Sequence, residues 1–226
     1  FKTLTAKLAI GIITFLLVTL FSFLTLHFTL KIKGPVTINQ DNVIDLSAKK
    51  NVRTALIAFP SLLLGIFAGV LASTALWENI LLFINQVPFG IVDPIFNRDL
   101  SFYFFNLSLF ETLYALAMLF LFVIALLNFI LTLFLQGIKN NPLKTAVYRL
   151  SYFAIVFFVL LIIGYQLKAA NLLFSTRGAV YGAGYTDLRI TLPYYYVASG
   201  VSLISAVLIF IGMRKKNIKM LALGPI

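Results

Sequence analysis

The chain has 226 residues, of which 61% are hydrophobic, 15% aromatic and only 11% charged, with a mean hydropathy of +1.02. Soluble domains carry about 25% charged residues, so this composition excludes a water-soluble enzyme and a disordered chain alike. The net charge is +11, with no cysteine and a single histidine, His27, which rules out disulfide scaffolds, thiolate chemistry and multi-histidine metal sites.

A membrane-spanning helix needs about 20 mostly apolar residues. Five segments qualify, at 8–30, 54–77, 112–135, 150–167 and 194–213, and a possible further span begins near Met220. Unbroken apolar runs such as 157–163 do not alternate in and out as barrel strands do. The expected fold class is therefore all-α, a polytopic helical membrane bundle of about five spans, with residues 1–226 forming one transmembrane domain. The first apolar run is too long for a signal peptide and no small-x-small site follows it. The chain starts without a methionine and reads as part of a longer protein.

Lysine and arginine in the short connections set the expected orientation. One face collects Lys31, Lys33, Lys49, Lys50, Arg53, Lys139, Lys144, Arg149, Arg214, Lys215, Lys216 and Lys219. The other has half as many: Lys2, Lys7, Arg98, Lys168, Arg177 and Arg189. The richer face is expected to be the cytoplasmic side of a plasma membrane, which places loops 31–53 and 136–149 and the tail 214–219 inside. The charge then reports orientation beside anionic lipid, and nucleic acid is not an expected partner. Trp77, the run 102–105 and Tyr194-Tyr195-Tyr196 gather on the opposite face as an aromatic belt.

The connection 78–111 is too apolar for a solvated loop. Ile80-Leu81-Leu82-Phe83-Ile84 is expected to form a short helix lying in the interface, after which Pro88, Gly90 and Pro94 break the helix. Asp93-Pro94 favours a turn in which the carboxylate caps backbone donors. In the connection 168–193, Gly178, Gly182 and Gly184 permit unusual backbone angles. A tight structural turn is favoured there over a ligand loop.

Several of these residues carry a resemblance. Phe89-Gly90, Asp93-Pro94, Phe96, Asp99 and Phe102-Tyr103-x-Phe105, followed by Gly182-Ala183-Gly184-Tyr185-Thr186-Asp187 and Leu192-Pro193, resemble the uncharacterised bacterial integral membrane protein family 0182 of the UPF series, over its N-terminal transmembrane region. The resemblance implies a longer parent protein, with about seven N-terminal spans followed by a large extracytoplasmic domain and no established activity. One departure is Leu107-Ser108, where the family usually places a proline.

Chemical motifs are sparse. The histidine lies near the inner end of the first span, no Gly-x-Ser-x-Gly occurs, and Gly182-Ala183-Gly184 continues with Tyr185 rather than aspartate, so neither a serine nor an aspartyl intramembrane protease fits. No phosphate-binding glycine motif is present. Polar span residues such as Ser61, Asn128, Gln166, Ser199, Ser202 and Ser205 read as interhelical hydrogen-bonding groups. Asp93, Asp99 and Asp187 are the weak metal candidates, but pairing with Arg98, Arg177 and Arg189 is preferred. His27 reads as a packing residue, and the sequon at Asn106 is discounted because it is flanked by apolar residues.

The expectation is a non-enzymatic membrane domain without cofactor. It anchors and docks an extracytoplasmic domain absent from this chain, with membrane lipids as its other partners. The alternative is a transporter or lipid-handling channel between the spans. The expected docking motifs are Phe89, Gly90, Asp93, Pro94, Asp99, Phe102, Tyr103, Gly182, Gly184, Tyr185, Thr186 and Asp187.

Overall fold

The computed structural model describes residues 2–31, 50–136, 142–176 and 182–215. Lys33, Lys49, Lys139, Arg177, Gly178, Lys216, Lys219 and the possible span near Met220 lie outside them. Five long helices follow one another: α1 (Lys2–Lys31), α2 (Lys50–Ile84), α3 (Ser108–Gln136), α4 (Pro142–Ala170) and α5 (Leu192–Arg214). Each is long and apolar enough to cross a membrane, and each contains one of the segments expected from hydropathy. Among the described residues there is no strand, only one isolated antiparallel bridge between Val92 and Asp99.

Leu26, Ile57 and Ile124 are buried, but many other apolar side chains face outward while several polar ones are hidden. Leu8, Ile12, Leu16, Val201 and Ile204 are exposed, whereas Ser22, Ser61, Asn128, Thr132 and Ser202 are buried. A helix in lipid gains nothing by hiding leucine, but it does gain by hiding groups that need a hydrogen-bond partner. Ser61, Ser199 and Ser202 find theirs in their own helix, at the carbonyls of Ile57, Tyr195 and Ala198. The expected bridging between helices gives way at these three positions to back-bonding.

The chain divides into two compact units, Phe1–Trp77 with Leu119–Leu150, and Glu78–Met118 with Ser151–Ile226. In the first unit, α1 and α2 meet through glycine. A Cβ on Gly69 would stand 2.7 Å from the Gly11 carbonyl oxygen and 3.2 Å from Phe15 Cβ, and one on Gly65 would collide with the Thr19 hydroxyl. Gly65-x-x-x-Gly69 is thus a contact in which two helix backbones touch. Near the start of α1, the Lys7 ammonium sits 4.5 Å from the centre of the Trp77 ring. His27 packs against the rings of Phe23 and Phe28.

In the second unit, rare π-helical turns lead into two of the long helices, at Phe102–Leu107 before α3 and at Asp187–Thr191 before α5. A 3-10 turn, Asn171–Phe174, closes α4. The segment 80–84 is not a separate interfacial helix but the last turn of α2. The helix continues through the polar pair Glu78-Asn79 because Asn79 finds partners in the first turns of α3. Its amide donates to the Thr112 hydroxyl (3.1 Å), and its carbonyl accepts from the Ser108 hydroxyl (3.2 Å).

Candidate functional site

The first motif loop begins where the Asn85 amide N–H and side chain both bond back to the Leu81 carbonyl, at 3.1 and 2.7 Å. Gly90 then takes a positive φ of 69°, which a side chain would strain, and the chain turns back on itself. Leu100 N–H donates to Ile91 O (2.9 Å), and Asp93 N–H to Arg98 O (2.8 Å). The tip is closed by Asn97, which tolerates a left-handed φ of 54°.

Two aspartates hold this hairpin together. Asp93 is 2% exposed. Its Oδ1 accepts from Ile95 N–H (2.8 Å), while its Oδ2 accepts from Phe96 N–H (3.0 Å) and the Tyr103 hydroxyl (2.8 Å). Pro94 has no N–H to offer, so the donors come from the next two residues. Burial pushes this carboxyl up, but the donors from Ile95, Tyr103 and Phe96 outweigh it and the net shift is downward.

Asp99 stands just before the first helical residue and caps it. Oδ1 accepts from Ser101 N–H (2.8 Å) and Phe89 N–H (3.1 Å), and Oδ2 from Gly90 N–H (2.9 Å). One carboxylate therefore ties the helix start to the other arm of the hairpin. Its bonds to Ser101, then to Phe89 and Gly90, hold its pKa down to about 2. The folded value lies below the ordinary 3.8, so the stabilisation is complete above 3.8 and fades as pH falls toward about 2. We predict that amide exchange at Phe89 and Gly90, normalised to an unstructured peptide, is slow at about pH 5 and accelerates at about pH 2.5. In Asp99→Asn the exchange should already be fast at the higher pH; an exchange rate indifferent to both changes contradicts the cap.

Aromatic rings complete the constellation. Phe89 packs on Phe104 and Phe105, with ring centres 5.7 and 5.8 Å apart. Phe102 meets Tyr103 and Phe110, and Tyr103 meets Phe174 at 6.1 Å. Arg98 lays its guanidinium 4.5 Å from the centre of the Phe102 ring. The expected pairing of Asp93 and Asp99 with arginine is corrected here: backbone amides hold both carboxylates.

The second motif is a helix start. Gly182, with a φ of 121°, donates its N–H to Ser175 O (2.9 Å). The first helical residue is Tyr185, so Gly184 occupies the cap position and Asp187 the third helical position. The Asp187 carboxylate reaches back to Gly184 N–H (3.2 Å), the reciprocal half of a capping box. Asp187 is buried, whereas Tyr185 and Thr186 are exposed. Arg189 lies 5.9 Å from the centre of the Tyr185 ring. Asp99 and Asp187 thus play the same part, a carboxylate at the positive end of a helix. Among the described residues no three acidic or histidine side chains come together as metal ligands.

Tyr103 links the two motifs, because Phe174, which its ring touches, belongs to the turn that leads to Ser175 and Gly182. Beside this link lies a cavity of about 530 Å³, lined by Arg98, Phe102, Tyr103, Tyr114, Gln166 and Tyr196 among others. Tyr114 fits there because Gly164 has no side chain; a Cβ at that position would strike the ring. Sequence reading missed Tyr114 and Gly164, and it missed the polar ties around them. Asn171 donates to Glu111, and Ser108 donates to Asn79. The spacing of Ser108, Glu111 and Thr112 along one helix face was the available signal. At the discounted sequon, Asn106 Oδ1 is buried without a partner.

The model of the uncharacterised protein family UPF0182 matches residues 1–226. The chain belongs to UPF0182. It is 35% identical to a UPF0182 protein of Clostridium tetani over 199 residues, covering 77% of this chain and 22% of that one. Likeness to a UPF0182 protein of Clostridium perfringens is 37% over 171 residues, covering 69% and 19%. A UPF0182 protein of Clostridium novyi is 30% identical over 226 residues, covering 91% and 25%. The chain therefore spans about a fifth to a quarter of the length of the curated UPF0182 relatives it matches. No solved structure matches.

Proposed function

We propose that these residues form a plasma-membrane module whose hairpin and capped turn make a rigid platform for an extracytoplasmic part of the protein outside this chain. The observation that carries this reading is the contrast between a locked base and an apolar top. The base is fastened by Asp93, Asp99 and Asp187, yet Val87, Ile91 and Tyr185 stand 62%, 60% and 78% exposed. A hairpin with so many internal bonds holds its surface in one shape, which lowers the entropy lost when a partner settles on it. The length of the relatives supplies a candidate occupant, and the surplus of Lys and Arg on the other connections supports an outward-facing platform. The reading is non-enzymatic, because the three aspartates are committed to backbone donors and Tyr103 to Asp93.

A second reading, lipid handling, is favoured by the cavity, whose size suits a small ligand and whose lining includes Arg98. Photo-crosslinking in the intact protein separates the two. A photoreactive residue at Ile91 is expected to capture parts of the same polypeptide outside 1–226. Capture of lipid alone at Ile91, together with lipid at a photoreactive Ala117 in the cavity wall, contradicts docking and favours lipid handling.

A further inference from the structure

From hydropathy, Arg149 falls just outside the fourth span, as a charge that sets orientation. The structure places it inside. α4 starts at Pro142, its apolar span runs from Ala146 to Phe174, and Arg149 is only 9% exposed. Its Nη1 donates to Thr132 Oγ1 (2.8 Å) on α3. Thr132 in turn donates to Asn128 O (2.7 Å), and Asn128 to Ile124 O (2.9 Å). Thr132 and Asn128 are each 1% exposed. The polar track is neutral throughout. Arg149 Nε, meanwhile, is buried with no hydrogen-bond partner.

A buried guanidinium needs a counter-charge, because leaving it alone costs several kcal/mol. Among the described residues, its own compact unit offers none. No acidic residue occurs between Glu111 and Asp187 in sequence, and the described acids all lie in the other compact unit. An Arg cannot shed its proton to escape, as a lysine can. The unpartnered Nε edge is the one that presents parallel N–H groups to an oxyanion.

We propose that Arg149, steadied by Thr132, receives an exogenous oxyanion of the phosphate class, carried by an anionic lipid headgroup at the end of the bundle where α4 begins. The lipid as source rests on the membrane reading above; the anion site itself does not. The geometry suits a headgroup, since Arg149 lies seven residues, about 10 Å of helix rise, from the start of α4.

The test uses the intact protein in detergent micelles and reads its Tm during titration with phosphatidylglycerol, phosphatidylcholine of the same chains, or inorganic phosphate at matched ionic strength. Phosphatidylglycerol should raise the Tm and phosphatidylcholine should not. Arg149→Gln should lose the response. Arg149→Lys, which keeps the charge and loses the fork, should need about tenfold more phosphatidylglycerol, and it carries the test if Arg149→Gln does not fold. A rise with inorganic phosphate as well supports a site for the free anion; a rise with phosphatidylglycerol alone supports the lipid. A response unchanged in both variants overturns the proposal. So does a wild type that responds to neither anion and is destabilised equally by Arg149→Gln and by Asp41→Asn with Asp45→Asn, for then the chain supplies its own counter-ion.

Discussion

Asp93→Ala should destabilise the protein by about 3 kcal/mol, roughly 1 kcal/mol for each of the three buried donors it leaves unpaired. The magnitude follows from what is left behind. Two backbone N–H groups, of Ile95 and Phe96, and the Tyr103 hydroxyl all point at the missing oxygens, in a site with almost no solvent access. Tyr103→Phe removes one donor and leaves the carboxylate two others, so its cost should be about 1 kcal/mol. The two changes share a bond, and the double variant should cost less than their sum. Thermal unfolding in detergent checks the ranking. A Tyr103→Phe loss equal to that of Asp93→Ala would show that the tyrosine, and not the amide pair, holds the hairpin.

Gly69→Leu should be as damaging for a different reason. The nearest obstacle to a Cβ is backbone, the Gly11 carbonyl oxygen at 2.7 Å, and backbone cannot rotate away. Even Gly69→Ala must push α1 from α2, and leucine must push further, at a cost of about 3 kcal/mol by the measure of overpacked cores. Gly200 on α5 is the control, since a Cβ there meets nothing within 4 Å. Gly200→Ala should be neutral or slightly stabilising, because alanine is the better helix former. If Gly69→Leu and Gly200→Ala leave the Tm equally unmoved, the two helices do not meet through glycine.

Hydropathy suffices to locate the long helices, since length and an absence of charge identify a span without reference to its neighbours. Asp93-Pro94 likewise announces a turn through local chemistry alone. What does not read from sequence depends on partners. The helix runs on through Glu78-Asn79 because Ser108 and Thr112, some thirty positions away, satisfy Asn79. The carboxylates suggest arginine because charge is visible in a sequence, whereas backbone amides occur at every residue and attract no notice. Arg149 reads as a loop residue because the uncharged apolar run begins only at Leu150, even though Pro142, a residue favoured at the first position of a helix, marks where α4 starts. Gly65-x-x-x-Gly69 is plain as a spacing, but its facing helix is not. The Gly184-Tyr185-Thr186-Asp187 string, one of the motifs of the family resemblance, has an ordinary structural role, since it starts a helix.

Both motif loops thus commit their distinctive residues to local rigidity, and the docking claim concerns the surface that this rigidity maintains. Cysteine accessibility tests it most directly. In a cysteine-free background, Ile91→Cys is treated on intact cells with a membrane-impermeant maleimide, in the whole protein and in a form cut back to residues 1–226. The expected result is that Ile91→Cys is labelled from outside in the shortened form and protected in the whole protein, while Lys139→Cys is labelled only after the cells are permeabilised. Equal labelling of Ile91→Cys in both forms, or labelling that requires permeabilisation, would contradict an outward-facing docking platform.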